Sequence, residues 1–143
     1  MTTLKKKIKV KVERTIPGPL VEVFDAWLNP KFRGNPWNAG DKVILDPRVD
    51  GLFYSAIMGM PHYGRFTKVK RPAQIQHTWV SPNTLGHESL VTVTFQKEGK
   101  DTRMSLVHVG LPDTPKGRSH NDGWNYFLDI LSGQFNGAAG KGK

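Results

Sequence analysis

The fold is decided by one stretch, SHNDGWNYFLDILSGQF, at residues 119–135. Its large apolar side chains recur at helical spacing, which predicts a long amphipathic helix with one wide apolar face. That face consists of Trp124, Phe127, Leu128, Leu131 and Phe135. Ser119 is placed to cap this helix, and Asp122 puts an acid near its positive end. Gly123 is less favourable there than alanine by about 1 kcal/mol, which indicates either close packing against the helix or a later helix start.

Most of the chain before this helix has the pattern of short strands. Residues 8–16 alternate apolar and polar side chains, which predicts a half-buried strand. Further strands are predicted at residues 42–45, 52–58, 63–69, 74–80, 87–97 and 102–109. The run Glu98-Gly99-Lys100 is typical of a tight hairpin connection, so the last two strands should pair antiparallel.

Two short helices are predicted after the first strand. Residues 19–29 place apolar side chains at helical spacing, with Pro19 suited to a first helical position. Pro30 ends this helix because the residue before a proline is pushed out of the helical region. A second helical turn is predicted at residues 31–35. Strands in hairpin order with helices at both ends predict an α+β domain, with about six to seven antiparallel strands curved around the C-terminal helix.

The composition fits one domain. The chain has 143 residues, and we expect a flexible basic N-terminus at 1–7, one domain at 8–135 and a disordered tail at 136–143. The absence of cysteine excludes disulfides, thiolate catalysis and cysteine-bound metal, and it is compatible with the reducing cytoplasm, where we expect the protein. No apolar run approaches the roughly 18 residues that a membrane-spanning helix needs.

The net charge of +9 suggests nucleic-acid binding at first, but its distribution does not favour that function. Seven of the 21 basic residues lie in residues 5–11 and 141–143, which leaves 14 basic against 12 acidic side chains elsewhere. Lysines that alternate along a first strand also protect a sheet edge from aggregation. Nucleic acid is therefore an unlikely partner.

Several motifs resemble one known family in the order in which they occur. They are FDAWLNP (24–30), the Asp50-Gly51 turn, YGRFTKVKRPAQIQHTW (63–79), VTVTFQKEGKDTRMSLVHVGL (91–111) and GWNYFLDIL (123–131). In this order they resemble proteins similar to the activator of the heat shock protein 90 ATPase, a family of the START-like, or helix-grip, superfamily. The resemblance implies a helix-grip fold, in which a curved sheet and a long helix enclose a hydrophobic cavity.

Two positions depart from that family pattern. Family members often have two glycines where this chain has Asp50-Gly51, and often a large apolar residue where it has His77. The resemblance implies little about a reaction, because the superfamily includes carriers, receptors, enzymes and chaperone partners. A histidine on an inward strand face adds a polar group to the cavity that the resemblance implies.

His77 and His108 are the candidate catalytic residues. His77 shares a predicted strand face with Trp79, and His108 shares one with Met104 and Leu106. Each imidazole is either a general base or ligand contact, or a hydrogen-bonded core histidine. No carboxylate lies on the same faces to orient either ring, which disfavours catalysis. The histidines show no metal-ligand spacing, and no metal or cofactor is expected.

The function favoured by this sequence is the binding of a hydrophobic or aromatic small molecule between the sheet and the C-terminal helix. The predicted ligand-binding residues are Trp37, Phe53, Phe66, His77, Trp79, Met104, Leu106, His108, Trp124, Phe127, Leu128 and Leu131. An enzyme of the cyclase, dehydratase or hydrolase type in the same cavity is the first alternative, and a module that binds a chaperone or another protein is the second. A non-catalytic binding protein is favoured, and the chain is expected to be a monomer or a homodimer.

Overall fold

The computed structural model describes residues 6–38 and 40–141, with side chains described for 6–38 and 42–135. Its strands are β1 Lys7–Ile16, β2 Gly40–Leu45, β3 Leu52–Ile57, β4 Met60–Lys70, β5 Gln74–Trp79, β6 Ser89–Glu98 and β7 Asp101–Pro112. Its helices are α1 Leu20–Trp27, α2 Pro115–Arg118 and α3 His120–Lys141, and a 3₁₀ turn occurs at Pro82–Thr84. Each predicted strand matches an observed one, with ends shifted by three residues or fewer.

The seven strands form one curved antiparallel sheet in the order β1-β7-β6-β5-β4-β3-β2. The predicted α+β helix-grip fold is confirmed. The tight connection at Gly99 pairs Glu98 with Asp101, as the sequence predicts. Because side chains alternate across a strand, one face of β5 and β7 carries His77, Trp79, Leu106 and His108, and all of them are buried.

The loop after α1 corrects the prediction of two short helices. Among the described residues, only α1 lies between the first two strands. Residues 31–35 form turns, because Gly34 has a φ of +104°, which a right-handed helix does not allow. A Cβ at Gly34 would lie 2.4 Å from the backbone nitrogen of Leu131, so glycine lets this loop pass against α3.

The start of α3 also differs from the prediction. Residues 115–118 form the extra short helix α2, so Ser119 ends α2, and its hydroxyl donates to the carbonyl of Lys116 at 2.7 Å. Asp122 does lie in the first turn of α3. Gly123 has open space around the position of a Cβ, so close packing does not explain this glycine.

The far end of α3 extends beyond the predicted boundary. The helix continues to Lys141, whereas residues 136–143 are predicted to be a disordered tail. Extending an existing helix adds one hydrogen bond per residue without a new nucleus, so a glycine-rich segment can follow a helix that is already packed. Residues 142–143, and residues 1–5 of the predicted flexible N-terminus, lie outside the described residues. In the described part, no helix is long and apolar enough to cross a membrane.

Candidate functional site

The twelve predicted ligand-binding residues lie together in the interior between the concave face of the sheet and α3. Each of them is less than 9% exposed. Ten of them belong to one cluster of buried apolar side chains, to which α1 adds Trp27. The other two, His77 and His108, lie against rings of this cluster. Strands β3, β4, β5 and β7 contribute inward-facing residues, α3 contributes residues three or four apart, and the loop after α1 contributes Trp37. Whether these residues bind a ligand stays a prediction.

His77 lies at the centre of a group of aromatic rings, which we call the aromatic cluster. Its ring centroid is 4.9 Å from that of Phe53, 5.4 Å from Phe66, 5.8 Å from Trp37 and 5.9 Å from Trp79. Separations of this size are typical of edge-to-face and tilted aromatic contacts. A polar ring therefore sits among flat, apolar neighbours.

The tautomer of His77 follows from its one hydrogen bond. Nδ1 is 2.9 Å from the carbonyl oxygen of Thr78, and a carbonyl only accepts, so Nδ1 carries the proton. Nε2 is then an acceptor, and it has no partner among the described residues. Burial lowers the pKa of His77 to about 4, although its bond to Thr78 partly opposes this effect. The ring is therefore neutral at pH 7.

Three indole nitrogens in the same interior are also without partners. They are the Nε1 atoms of Trp27, Trp37 and Trp79, which are buried and bond to no group in the described part of the chain. A buried polar group without a hydrogen bond costs about 1–3 kcal/mol. Native proteins have few such groups, and one explanation is a bound molecule that satisfies them. With Nε2 of His77, these indoles make four unpaired buried nitrogens in one interior. Such a group suggests a place where the polar atoms of a bound molecule are accommodated.

His108 has the opposite tautomer and no free nitrogen. The indole N–H of Trp124 donates to its Nδ1 at 3.0 Å, so the ring proton lies on Nε2. That Nε2–H donates to the hydroxyl of Ser89 at 2.7 Å, and the hydroxyl donates to the carbonyl of Trp79 at 2.6 Å. This hydrogen-bonded chain ties α3 to β7, β6 and β5.

The Ser89–His108 pair cannot work as a nucleophile and its base in this arrangement. A general base must accept the hydroxyl proton, whereas here His108 donates to Ser89 and the serine proton points to a carbonyl. No Asp or Glu is buried among the described residues to reverse the tautomer. Burial, and then the nearby His120 and His77, hold the pKa of His108 well below its usual range. The geometry fits a structural histidine.

His62 borders the aromatic cluster, and His120 lies against His108, with ring centroids 5.1 Å apart. The Nδ1 of His62 donates to the carbonyl of Met60 at 2.8 Å, and its ring centroid lies 5.0 Å from Trp79. The Nδ1 of His120 donates to the carbonyl of Gly117 at 3.0 Å. Burial is the main cause that lowers both pKa values. No group of three metal-binding side chains occurs among the residues that the structure describes.

Asn35 positions one wall of the aromatic cluster, and the sequence prediction missed it. Its buried amide nitrogen donates to the carbonyls of Ala26, Asn29 and Phe32 at 2.9–3.0 Å. Its amide oxygen accepts from the backbone N–H of Trp37 at 3.0 Å. The side chain therefore fixes the loop that delivers Trp37. The only sequence signal is that an asparagine stands two residues before a tryptophan in a loop, where asparagine often bonds to nearby backbone.

A partly open pocket of about 100 Å³ adjoins this interior. It lies between the Asn35 loop and α3, and Phe127 is common to the pocket and to the predicted ligand-binding residues. Its lining residues are Arg33, Gly34, Asn35, Asn38, Tyr126, Phe127 and Ile130. Phe127 is thus in contact with both the buried cluster and this surface pocket.

Comparison with known proteins identifies the family. The model of the family described as "Activator of Hsp90 ATPase homolog 1-like protein" matches residues 18–136. No curated protein sequence matches this chain.

Solved structures share the fold over most of this chain. Protein MLL2253 from Mesorhizobium loti is 21% identical, with a TM-score of 0.74 and coverage of 92% of this chain and 98% of that one. CalU16 from Micromonospora echinospora is 24% identical, with a TM-score of 0.71 and coverage of 89% and 74%. PFC0360w, an HSP90 activator from Plasmodium falciparum, is 21% identical, with a TM-score of 0.71 and coverage of 90% and 96%. At these identities the likeness extends to the fold alone.

Proposed function

Since the chain belongs to the activator of Hsp90 ATPase homolog 1-like family, we propose that it binds a hydrophobic or aromatic small molecule between its sheet and α3, without a reaction on it. The observation that carries the proposal is the set of four unpaired buried nitrogens within the aromatic interior. A ligand with polar atoms would satisfy them, while its rings would bury apolar area at about 25 cal/mol per Å².

The absence of a working acid–base pair among the described residues supports binding over catalysis. His108 has both nitrogens occupied, and His77 has no carboxylate partner to raise its basicity. The pocket beside Phe127 supports a route into the interior, because Phe127 lines the pocket and is itself packed in the interior, so a ligand that displaces this side chain reaches the buried rings. A pocket opened in this way is a minor conformation that the ligand makes dominant.

Binding is tested with N-phenyl-1-naphthylamine, a neutral aromatic probe whose fluorescence rises in apolar surroundings. The proposal predicts saturable binding to one site, with quenching of the protein's tryptophan emission. Leu106→Phe, which fills the interior, should weaken binding at least tenfold. Val107→Phe, which changes the next residue on the opposite face of β7, serves as the matched control and should bind like the original protein.

The circular dichroism spectra of both variants should match the original before affinities are compared, because overpacking a core destabilises it by about 1–3 kcal/mol. Equal weakening by both variants, or no saturable binding by the original protein, would count against an interior site.

An interaction with a protein partner is the second candidate function. On the outer face of the sheet, Ile44 and Leu52 are each 61% exposed and Tyr63 is 47% exposed. Ile44 pairs with Tyr54, and Tyr54 pairs with Tyr63, so apolar side chains form a row across β2, β3 and β4. Exposed apolar rows of this kind favour protein contacts. A structural neighbour is named as an HSP90 activator, so heat shock protein 90 is the partner to test.

The test is binding of purified heat shock protein 90 to the immobilised protein. Ile44→Lys combined with Tyr63→Lys should abolish binding if this row is the contact surface. Val21→Lys, a similar change at an exposed residue of α1, is the control and should leave binding intact. Failure of the original protein to bind would remove this candidate.

A further inference from the structure

The unpaired acceptor on His77 requires a hydrogen-bond donor on the ligand. Nδ1 is committed to the Thr78 carbonyl, so the free position on the ring is the lone pair of Nε2. His77 is fully buried, and no donor from the described residues reaches this lone pair. A molecule that satisfies it must therefore carry an O–H or N–H group.

The walls around this acceptor restrict the shape of the molecule. Phe53, Phe66, Trp37 and Trp79 present ring faces and edges to His77 at centroid separations of 4.9–5.9 Å. At these separations the four rings already contact His77, so a molecule that reaches Nε2 displaces part of this packing and then lies against aromatic surfaces. A flat ring therefore suits the interior better than a flexible aliphatic chain.

The lack of buried charged side chains among the described residues restricts the charge of the molecule. No Lys, Arg, Asp or Glu is buried among the described residues. A carboxylate or ammonium group that entered would lose its hydration and find no opposite charge. Burial keeps the pKa of His77 at about 4, so the ring offers no positive charge to an anion at neutral pH. The occupant is therefore uncharged.

We propose that the aromatic cluster selects neutral hydroxylated aromatic molecules, whose hydroxyl group donates to Nε2 of His77. This inference rests on the proposed interior binding and names its ligand class. The unpaired indole N–H groups of Trp37 and Trp79 add donors nearby, so a further ether or carbonyl oxygen on the same molecule is accepted as well. A ligand that lacks the hydroxyl leaves the His77 acceptor unpaired.

Three probes with one ring system test the inference: 2-naphthol, 2-methoxynaphthalene and 2-naphthoate at pH 7.5. 2-Naphthol should bind about tenfold more tightly than 2-methoxynaphthalene, although the ether has more apolar surface, because only the hydroxyl donates. 2-Naphthoate should show no measurable binding. Affinities are measured by tryptophan quenching and by calorimetry.

Variants assign the preference to His77. His77→Phe keeps a buried ring and removes the acceptor, so it should bring the affinities for 2-naphthol and 2-methoxynaphthalene together. His87→Phe makes the same chemical change outside the buried set and should keep the tenfold ratio. If His77→Phe does not fold, the ¹⁵N resonance of His77 Nε2 in the original protein is the second readout. It should shift with 2-naphthol and stay in place with the ether.

The outcomes separate this inference from the proposed function. If none of the probes binds, the interior site itself is wrong. If 2-naphthol and 2-methoxynaphthalene bind equally well, or the ether binds better, the interior site stands and the hydroxyl-selective role of His77 is wrong. Binding of 2-naphthoate as tight as that of 2-naphthol would also overturn the inference, because it would show that charge is tolerated.

Discussion

At the scale of single residues, hydrogen-bond partners decide what each histidine can do. His77 and His108 are both fully buried on the inward face of the sheet, yet they hold opposite tautomers. A carbonyl beside Nδ1 leaves His77 with one free acceptor, whereas an indole N–H and a hydroxyl occupy both nitrogens of His108. The first is available to a ligand, and the second joins four elements of the fold.

Asn35 allows a test with almost no change in shape. In Asn35→Asp, a carboxylate oxygen replaces the amide nitrogen that donates to three backbone carbonyls. The oxygen cannot donate and would repel those carbonyls, so the free energy of unfolding should fall by about 3 kcal/mol or more. Urea unfolding at pH 7.5 measures the change.

The control is Asn38→Asp, because the amide of Asn38 makes one exposed bond to the carbonyl of Pro30. This control should lower stability by less than about 1 kcal/mol. Equal effects of the two substitutions would contradict the role assigned to Asn35.

At the scale of elements, the turn between β3 and β4 holds a methionine in an unfavourable backbone conformation. It contains two residues with positive φ, Met58 at 53° and Gly59 at 78°. This backbone is typical of a two-residue type I′ hairpin turn, in which Asn-Gly is preferred. Methionine has no local hydrogen bond that compensates for the left-handed conformation, and its side chain is 93% exposed.

Met58→Asn should therefore raise the free energy of unfolding by about 1 kcal/mol. Met58→Ala should have almost no effect, since alanine carries the same backbone penalty and the methionine side chain packs against little. Thermal and urea unfolding provide the comparison. A loss of stability in Met58→Asn would mean that the turn geometry is different.

The elements also show how far the sequence could predict the site. Alternation along β5 and β7 placed His77, Trp79, Leu106 and His108 on inward faces, and these residues are buried. The partners of those residues could not be predicted, because they depend on sheet register and on the docking of α3. Trp124 is 16 residues from His108, and Ser89 is 19 residues from it. The predicted second helical turn was wrong because Gly34 has a φ of +104°, a left-handed conformation that a helical pattern does not reveal.

At the scale of the whole molecule, four buried neutral histidines make stability depend on pH. Burial lowers the pKa values of His62, His77, His108 and His120 below their usual 6.5. Since the unfolded chain then binds more protons than the folded protein, stability is complete above pH 6.5 and falls as the pH decreases below it. For His77 the loss continues to about pH 4.

His77 alone should lower the free energy of unfolding by about 2 kcal/mol between pH 7.5 and pH 5. Urea unfolding at the two pH values measures this difference. His77→Gln should reduce the pH dependence by about that amount. Val93→Ala removes buried apolar atoms without a titratable group, so it should lower stability equally at both pH values. A pH dependence unchanged by His77→Gln would contradict a neutral buried ring.

The central claim is that a neutral aromatic molecule binds in the interior next to the unpaired nitrogens. It is tested most directly by the indole N–H resonances of the four tryptophans in a ¹H–¹⁵N spectrum, assigned with single Trp→Phe variants and titrated with N-phenyl-1-naphthylamine. The resonances of Trp37 and Trp79 should shift in a saturable way, because these donors are unpaired. The resonance of Trp124, which donates to His108, should change least. Unchanged resonances for Trp37 and Trp79 at saturating probe, or a shift confined to Trp124, would contradict the claim.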